Sequence, residues 1–327
     1  MYISISGVGY AGAGAYYDLL CEYKDIEHAP NLFELGILYE PDGVIDLVNK
    51  LKLNNCKVTS YVPVRRFLHL ASFYNNFEWF KPYTNKFLYD LAYDFIQSLA
   101  PIEVKGEELF DLSNASTIDK FKRKVNLVLL RRINAVLKTS YHLNTEKVML
   151  LCLDVDGIEN KAKKFVCSML DSFRKDRQKK ILIKHICPPD KPSVCLPYLP
   201  DDFKHISVNR DPRDLYILGK LNKTSSFPCK SVLDFIRFYK YIRINQIKDN
   251  HILYVNFEDL CYKYEDTKAL VESFIGESAN NRTCKIFDAS VSIKNTQLFN
   301  IYTQYKNEIE AIEEGLSEYL YTYGNYK

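Results

Sequence analysis

The stretch His205-Ile-Ser-Val-Asn-Arg-Asp-Pro-Arg-Asp-Leu-Tyr216 decides how the chain is read. Its first residues are largely apolar and include β-branched side chains, as in a buried strand. Pro212 suits the first position of a helix, where its missing N–H costs nothing and its φ is already set. Asp211 is placed to cap that helix, and Asp214 sits favourably in its first turn. Arg210 is then held at the carboxyl end of a strand beside a helix N-terminus, where open α/β sheets bind phosphate. A strand–helix junction whose charges only cap and solvate has the same pattern, so the rest of the chain must decide.

The N-terminus offers a matching feature. Tyr2 to Ser6 reads as a short strand, followed by Gly7-Val-Gly-Tyr-Ala-Gly-Ala-Gly14 and the helix-like Ala15-Tyr-Tyr-Asp-Leu-Leu-Cys-Glu-Tyr23. Strand, glycine-rich turn and helix is an arrangement that cradles phosphate with backbone N–H groups. A tight turn that needs glycine only for its backbone angles is the plainer reading. Further short apolar runs follow at Val148–Leu153, Ile181–Lys184, His205–Val208 and Ile252–Val255, each near a helix-like segment. Alternation of this kind predicts an α/β fold with a parallel sheet of about five strands flanked by helices. Apolar runs without alternation predict that both faces are covered.

From about Asp42 to Asn144 the apolar spacing is helical, including the aromatic run from Phe67 to Phe95. This predicts a helical insertion, about 42–144, within one α/β domain spanning 1–327. The basic stretch Ser116 to Lys138, with Lys120, Lys122, Arg123, Lys124, Arg131, Arg132 and Lys138, reads as an amphipathic helix. It is either a solvated face or a wall for an acidic glycan or lipid-linked precursor near an anionic membrane. Thr296 to Tyr321 reads as one long helix. Glu258 and Asp259 read as caps of the helix that follows them.

Composition narrows the function classes. The 327 residues are 47% hydrophobic, ample for a packed core, and the net charge of +3 argues against a generic nucleic-acid binder. The nine cysteines are scattered without a C-x-x-C pair, which predicts no metal site and fits a reducing, cytoplasmic setting. No basic leader and no membrane-length apolar run stands in the sequence.

The glycine turn admits two sharper readings. Gly7-x-Gly9-x-x-Gly12 after a strand fits a dinucleotide fingerprint, and Gly-Tyr here resembles nucleotide-sugar dehydrogenases that use NAD. That fingerprint wants a second strand ending in an acid about 20 residues on, and Asp25 to Gly36 shows no convincing one. The other reading is a phosphosulfate-binding loop. Ala11-Gly-Ala-Gly-Ala15 occupies the place of the sulfotransferase Ser-Gly-Thr-Thr/Ser-Ser loop. Phe33 to Leu47, Val208 to Tyr216, Tyr254 to Leu260 with Phe274-Ile-Gly276, and Phe287 to Phe299 resemble further segments of bacterial sulfotransferase-like proteins of surface-polysaccharide clusters, in the right order.

That resemblance implies a nucleotide-kinase-like fold and use of 3′-phosphoadenosine 5′-phosphosulfate (PAPS), with 3′,5′-ADP as product and no metal. It implies a glycan or other hydroxyl acceptor and contact with membrane-bound polysaccharide assembly. It places the 5′-phosphate on Gly9, Tyr10, Ala11, Gly12, Ala13, Gly14 and Ala15, and the 3′-phosphate on Arg210, with Arg213 and Lys294 in support. Ile-Lys-His-Ile-Cys-Pro-Pro is loosely similar to the family's K-x-H-x-P segment, which makes His185 the candidate base and Lys184 a candidate for steadying charge. A base is required because a sugar hydroxyl is a poor nucleophile at neutral pH. The chain departs from the family in its first loop, where Tyr10, Ala11, Ala13 and Gly14 replace a lysine and hydroxyls, and at Leu218, where many members carry a serine. Arg213 or Lys220 are candidate replacements for the lost cation, and a non-catalytic nucleotide- or glycan-binding protein is the alternative these departures favour.

Overall fold

The computed structural model describes residues 1–28, 34–76, 87–106, 108–140 and 147–324. Its strands are β1 (Tyr2–Gly7), β2 (Ile26–His28), β3 (Ile102–Gly106), β4 (Lys147–Leu151), β5 (Lys180–Lys184), β6 (Phe203–Asn209) and β7 (Ile252–Asn256). The first helices are α1 (Ala13–Leu20), α2 (Val44–Leu53), α3 (Lys57–Asn76), α4 (Phe87–Ser98), α5 (Leu109–Ser113), α6 (Thr117–Leu137) and α7 (Ile158–Ser172). The later ones are α8 (Pro212–Leu221), α9 (Val232–Ile244), α10 (Phe257–Tyr262), α11 (Tyr264–Ile275), α12 (Ala289–Ser292) and α13 (Lys306–Gly315).

Five strands form one all-parallel sheet in the order β2-β5-β1-β6-β7. The chain leaves the central β1 toward one edge and later returns to build the other half from β6 and β7. The carboxyl end of β1 is therefore the switch point at which open α/β sheets leave a crevice. This is the α/β fold, a parallel sheet of five strands flanked by helices, that the sequence predicts.

Both faces are covered. Ile3, Ile5, Leu182, Ile206 and Val255 pack with α1, α10 and α11. Ile181, Ile183 and Phe203 pack on the opposite side with α2, α3, α4 and α7. On that side β1 and β6 carry a buried stripe of small polar groups, Ser4, Ser6, His205 and Ser207. His205 Nε2 lies 3.0 Å from Ser6 Oγ, which satisfies one ring nitrogen away from water.

Three expectations are corrected. Val148–Leu153 does not join the parallel sheet: β4 pairs antiparallel with β3, which lies inside the stretch read as mostly helical with no clear strand. Its pattern explains this, since Met149 and Leu151 are buried beside Tyr61 while Val148 is 55% exposed. The fifth parallel strand is instead Ile26–His28, too short to announce itself. Its Glu27 accepts from the amides of Lys175 and Asp176, so it braces a turn. The segment 296–321 is not one helix but short 3-10 turns, α13 and an extended tail. Asp214 takes the N–H groups of Gln297 and Leu298 at 2.8 and 2.7 Å, and Gln297 has φ 52, so a continuous helix cannot form there. Finally, Glu258 and Asp259 are not caps: Glu258 accepts from the Asp211 amide, and Asp259 accepts from Asn256 and Tyr321. Of the aromatic run 67–95, residues 77–86 lie outside the described ones, as do 107 and 141–144 of the expected insertion.

Candidate functional site

After Gly7 the chain turns sharply. The Ala11 amide donates to Val8 O at 2.8 Å and the Ala15 amide to Gly12 O at 3.0 Å. Tyr10 and Gly12 adopt φ of 67° and 95°. Gly12 has a second constraint, because a Cβ there would meet the Phe257 ring at 2.3 Å. Helix α1 then starts with no side-chain cap and no acid in its first turn. Ala15 N–H is taken by Gly12 O, while those of Ala13 and Gly14 have no intrahelical acceptor, so the positive end of the helix dipole is left open.

Strand β6 delivers Arg210 to the same place. Asp211 caps α8 through the Arg213 amide at 2.9 Å, with Pro212 first in the helix. The Arg210 side chain is 5% exposed and its guanidinium lies 4.5 Å over the Phe257 ring. Nη1 donates to Tyr10 O at 2.8 Å and Nη2 donates to Asn295 O. A guanidinium has five N–H donors, and Nε is buried without a partner. Beneath it, burial pushes the Glu258 carboxyl up to about 8, so this acid is mainly protonated at neutral pH. Burial also raises Asp214, to about 6. With Glu258 neutral, the Arg210 cation is only partly compensated by protein carboxylates, which favours an anionic ligand.

Strand β5 supplies the third wall. His185 sits in the left-handed region with φ 54 and donates its amide to Ile5 O at 3.0 Å. Such a conformation costs about 1–3 kcal/mol and persists where the surroundings enforce it. Its Nε2 is 3.5 Å from Glu34 Oε1. Burial holds the imidazole below its ordinary pKa, against the pull of Glu34, so it is neutral and able to accept a proton. Lys184 lies over the Tyr17 ring at 5.0 Å, and burial lowers its pKa too.

These groups face one cavity of about 880 Å³, lined by 7–15, Lys184, His185 and Arg210. Among the described lining residues, Lys184 and Arg210 are the only lysine and arginine. The other candidates lie elsewhere. Arg213 turns away from the cavity because Asp211 and Glu313 hold it at 2.7 and 2.9 Å, with Phe299 beneath it. It clamps the C-terminal segment to α8. Lys220 sits over Tyr216 and Tyr305, so neither cation replaces the missing loop lysine. Lys294 is exposed, while its neighbours Ser292 and Asn295 line the cavity. Sequence reasoning missed Glu34, Tyr39, Asp190, Ser226 and Phe257 as lining groups. Phe257 stands within Phe-Glu-Asp-Leu and Glu34 within Phe-Glu-Leu-Gly, but nothing local shows that either reaches β1. A second cavity of about 510 Å³, between α3, α4 and β4, gathers none of the predicted residues.

No family model matches the chain, and no curated protein matches it. Among solved structures, a sulfotransferase domain from the curacin biosynthetic pathway is similar over 97% of each chain, with 11% identity and a TM-score of 0.43. At that distance the likeness says nothing about activity.

Proposed function

We propose that the cavity binds PAPS and that the protein transfers its sulfuryl group to a hydroxyl, with a glycan as the acceptor class. The observation that carries this reading is convergence: the carboxyl ends of β1, β5 and β6 bring the glycine loop, Lys184–His185 and Arg210 to one crevice. The residues fit the nucleotide. The open amides of α1 suit a phosphate, and the buried Arg210, with its unpartnered Nε, suits a second one. PAPS supplies a sulfuryl group on a good leaving phosphate. Here the protein would position and stabilise charge, as in phosphoryl transfer. Lys184 supplies the cation that the first loop lacks. Neutral His185 accepts the acceptor hydroxyl proton at a ring nitrogen that carries none, and Glu34, 3.5 Å from Nε2, stabilises the imidazolium that forms.

Calorimetric titration with 3′,5′-ADP, with 5′-AMP and NAD as controls, tests this. Selective binding of 3′,5′-ADP is the expected result, with at least a tenfold loss in Arg210→Ala, the worth of a lost charge-assisted contact of about 1.5 kcal/mol or more. Wild-type affinity in Arg210→Ala would sink the assignment, and binding of NAD would replace it with a dehydrogenase. His185→Gln retains binding and loses about 10²–10⁴-fold in turnover if it is the base. Ala11, Ala13 and Gly14, which offer no side-chain donor, favour one second reading: binding without turnover. Wild-type protein that binds 3′,5′-ADP but transfers nothing to any glycan hydroxyl would establish it.

A further inference from the structure

Helix α6 is 21 residues long and none of its side chains is buried. Every other long helix of the described residues buries an apolar stripe; this one does not. Ile118, Phe121, Val125, Val128, Leu129 and Val136 recur at helical spacing on one side, with Arg132 among them and with Phe121 66% and Val136 80% exposed; Leu127, Ile133 and Leu137 are exposed on the other sides. From Ser116 to Lys138 the chain carries seven cations against Asp119 alone. Lys120 and Arg131 fall away from the stripe and Lys124 flanks its edge by the same spacing. The element is capped by its own residues: Ser116 Oγ accepts from the Asp119 amide at 3.0 Å, and Lys138 ends it in the left-handed region. Its root is fixed, because Asp111 of α5 is buried and accepts from Tyr61 at 2.9 Å while pairing with Arg65 of α3.

A partner for this helix must cover an apolar stripe and neutralise cations at once. A second copy of the chain would bring two such cationic helices together, with Arg132 in the seam continued from Ile118, Phe121, Val125 and Val128. A nucleic acid would take the charges and leave the stripe in water. An anionic bilayer surface meets both demands: the apolar side chains enter the acyl boundary, while Arg132 reaches back on its long stem to join the other cations among the headgroups. No helix among the described residues is long and apolar enough to cross a membrane, so α6 would lie on the surface. We propose that α6 is a membrane-surface helix that docks the protein on anionic phospholipid. This inference does not depend on the proposed reaction.

Flotation of the full chain with vesicles tests it. The protein floats with phosphatidylcholine–phosphatidylserine vesicles and not with phosphatidylcholine alone, and added salt weakens the binding. Phe121→Asp with Val136→Asp abolishes flotation. Lys120→Gln with Lys124→Gln lowers partitioning by about fivefold per charge. All four side chains are exposed, so the thermal midpoint and circular dichroism stay as in wild type. Absence of flotation with the anionic vesicles overturns the proposal. So does flotation unaffected by Phe121→Asp with Val136→Asp, which would be adhesion through charge elsewhere. A dimer that the same variant dissociates, without vesicle binding, gives the stripe to a second copy.

Discussion

Gly12 and Gly14 stand two residues apart under opposite constraints. Gly12 has φ 95 and Phe257 against its Cα, whereas a Cβ at Gly14 meets nothing within 4 Å. Gly12→Ala should therefore destabilise the protein by about 2–4 kcal/mol, from left-handed strain plus overpacking. Gly14→Ala should stay within about 1 kcal/mol of wild type in urea unfolding, since alanine favours a helix. Its methyl group would nonetheless stand at the open helix end and weaken 3′,5′-ADP binding about tenfold, the worth of one displaced hydrogen bond to a charged group. Equal stability of the two variants would contradict the described loop. Arg210 and Lys184 were legible because each follows an apolar run and precedes a break, which fixes a residue at a strand end. Arg213 shares that context yet turns away. Its direction is set by Asp211 and by Glu313 a hundred positions later, a pairing no local pattern carries. Glu34 was silent for the same reason.

At the scale of elements, the parallel strands were readable where burial on both faces leaves unbroken apolar runs, as in β1, β5, β6 and β7. β2 has three residues and gave no such run, and β4 mimicked one while packing only one face. The C-terminal segment failed as a helix because its backbone donors are recruited by acids from α8. Tyr321 shows how closely the two are joined: its amide donates to Asp211 at 3.2 Å and its hydroxyl to Asp259 at 3.0 Å. Tyr323 donates to Asp214 at 3.1 Å. Ending the chain after Tyr319 removes these donors and leaves buried carboxylates short of partners. Such a truncation should cost about 2–4 kcal/mol in urea unfolding. An unchanged midpoint would show that the tail merely lies against α8 without bracing it.

Over the whole molecule, the buried ionisable groups set how stability depends on pH. Glu258 is raised by burial from 4.5 to about 8, and Asp214 from 3.8 to about 6. A raised folded pKa means that the native state holds a proton the unfolded chain releases, so each stabilises at low pH and the benefit is lost as pH rises through the folded value. His205 works in the opposite direction: burial lowers it from 6.5 to about 3, so its contribution is lost as pH falls below 6.5. These slopes oppose one another between about pH 4.5 and 6.5. Of these three groups, only Glu258 still titrates from about pH 6.5 to 8. Stability should then fall with pH at up to about 1.4 kcal/mol per unit, the slope for one proton. Glu258→Gln keeps an acceptor for the Asp211 amide and cannot ionise, so its stability should be flat over that window. Ligand affinity supplies an independent check. As Glu258 ionises beside Arg210 it compensates the guanidinium, and 3′,5′-ADP should bind more weakly at pH 8.5 than at pH 6.5 in wild type but not in Glu258→Gln. A parallel fall in the variant would place the titrating group elsewhere and remove Glu258 from the electrostatics of the cavity.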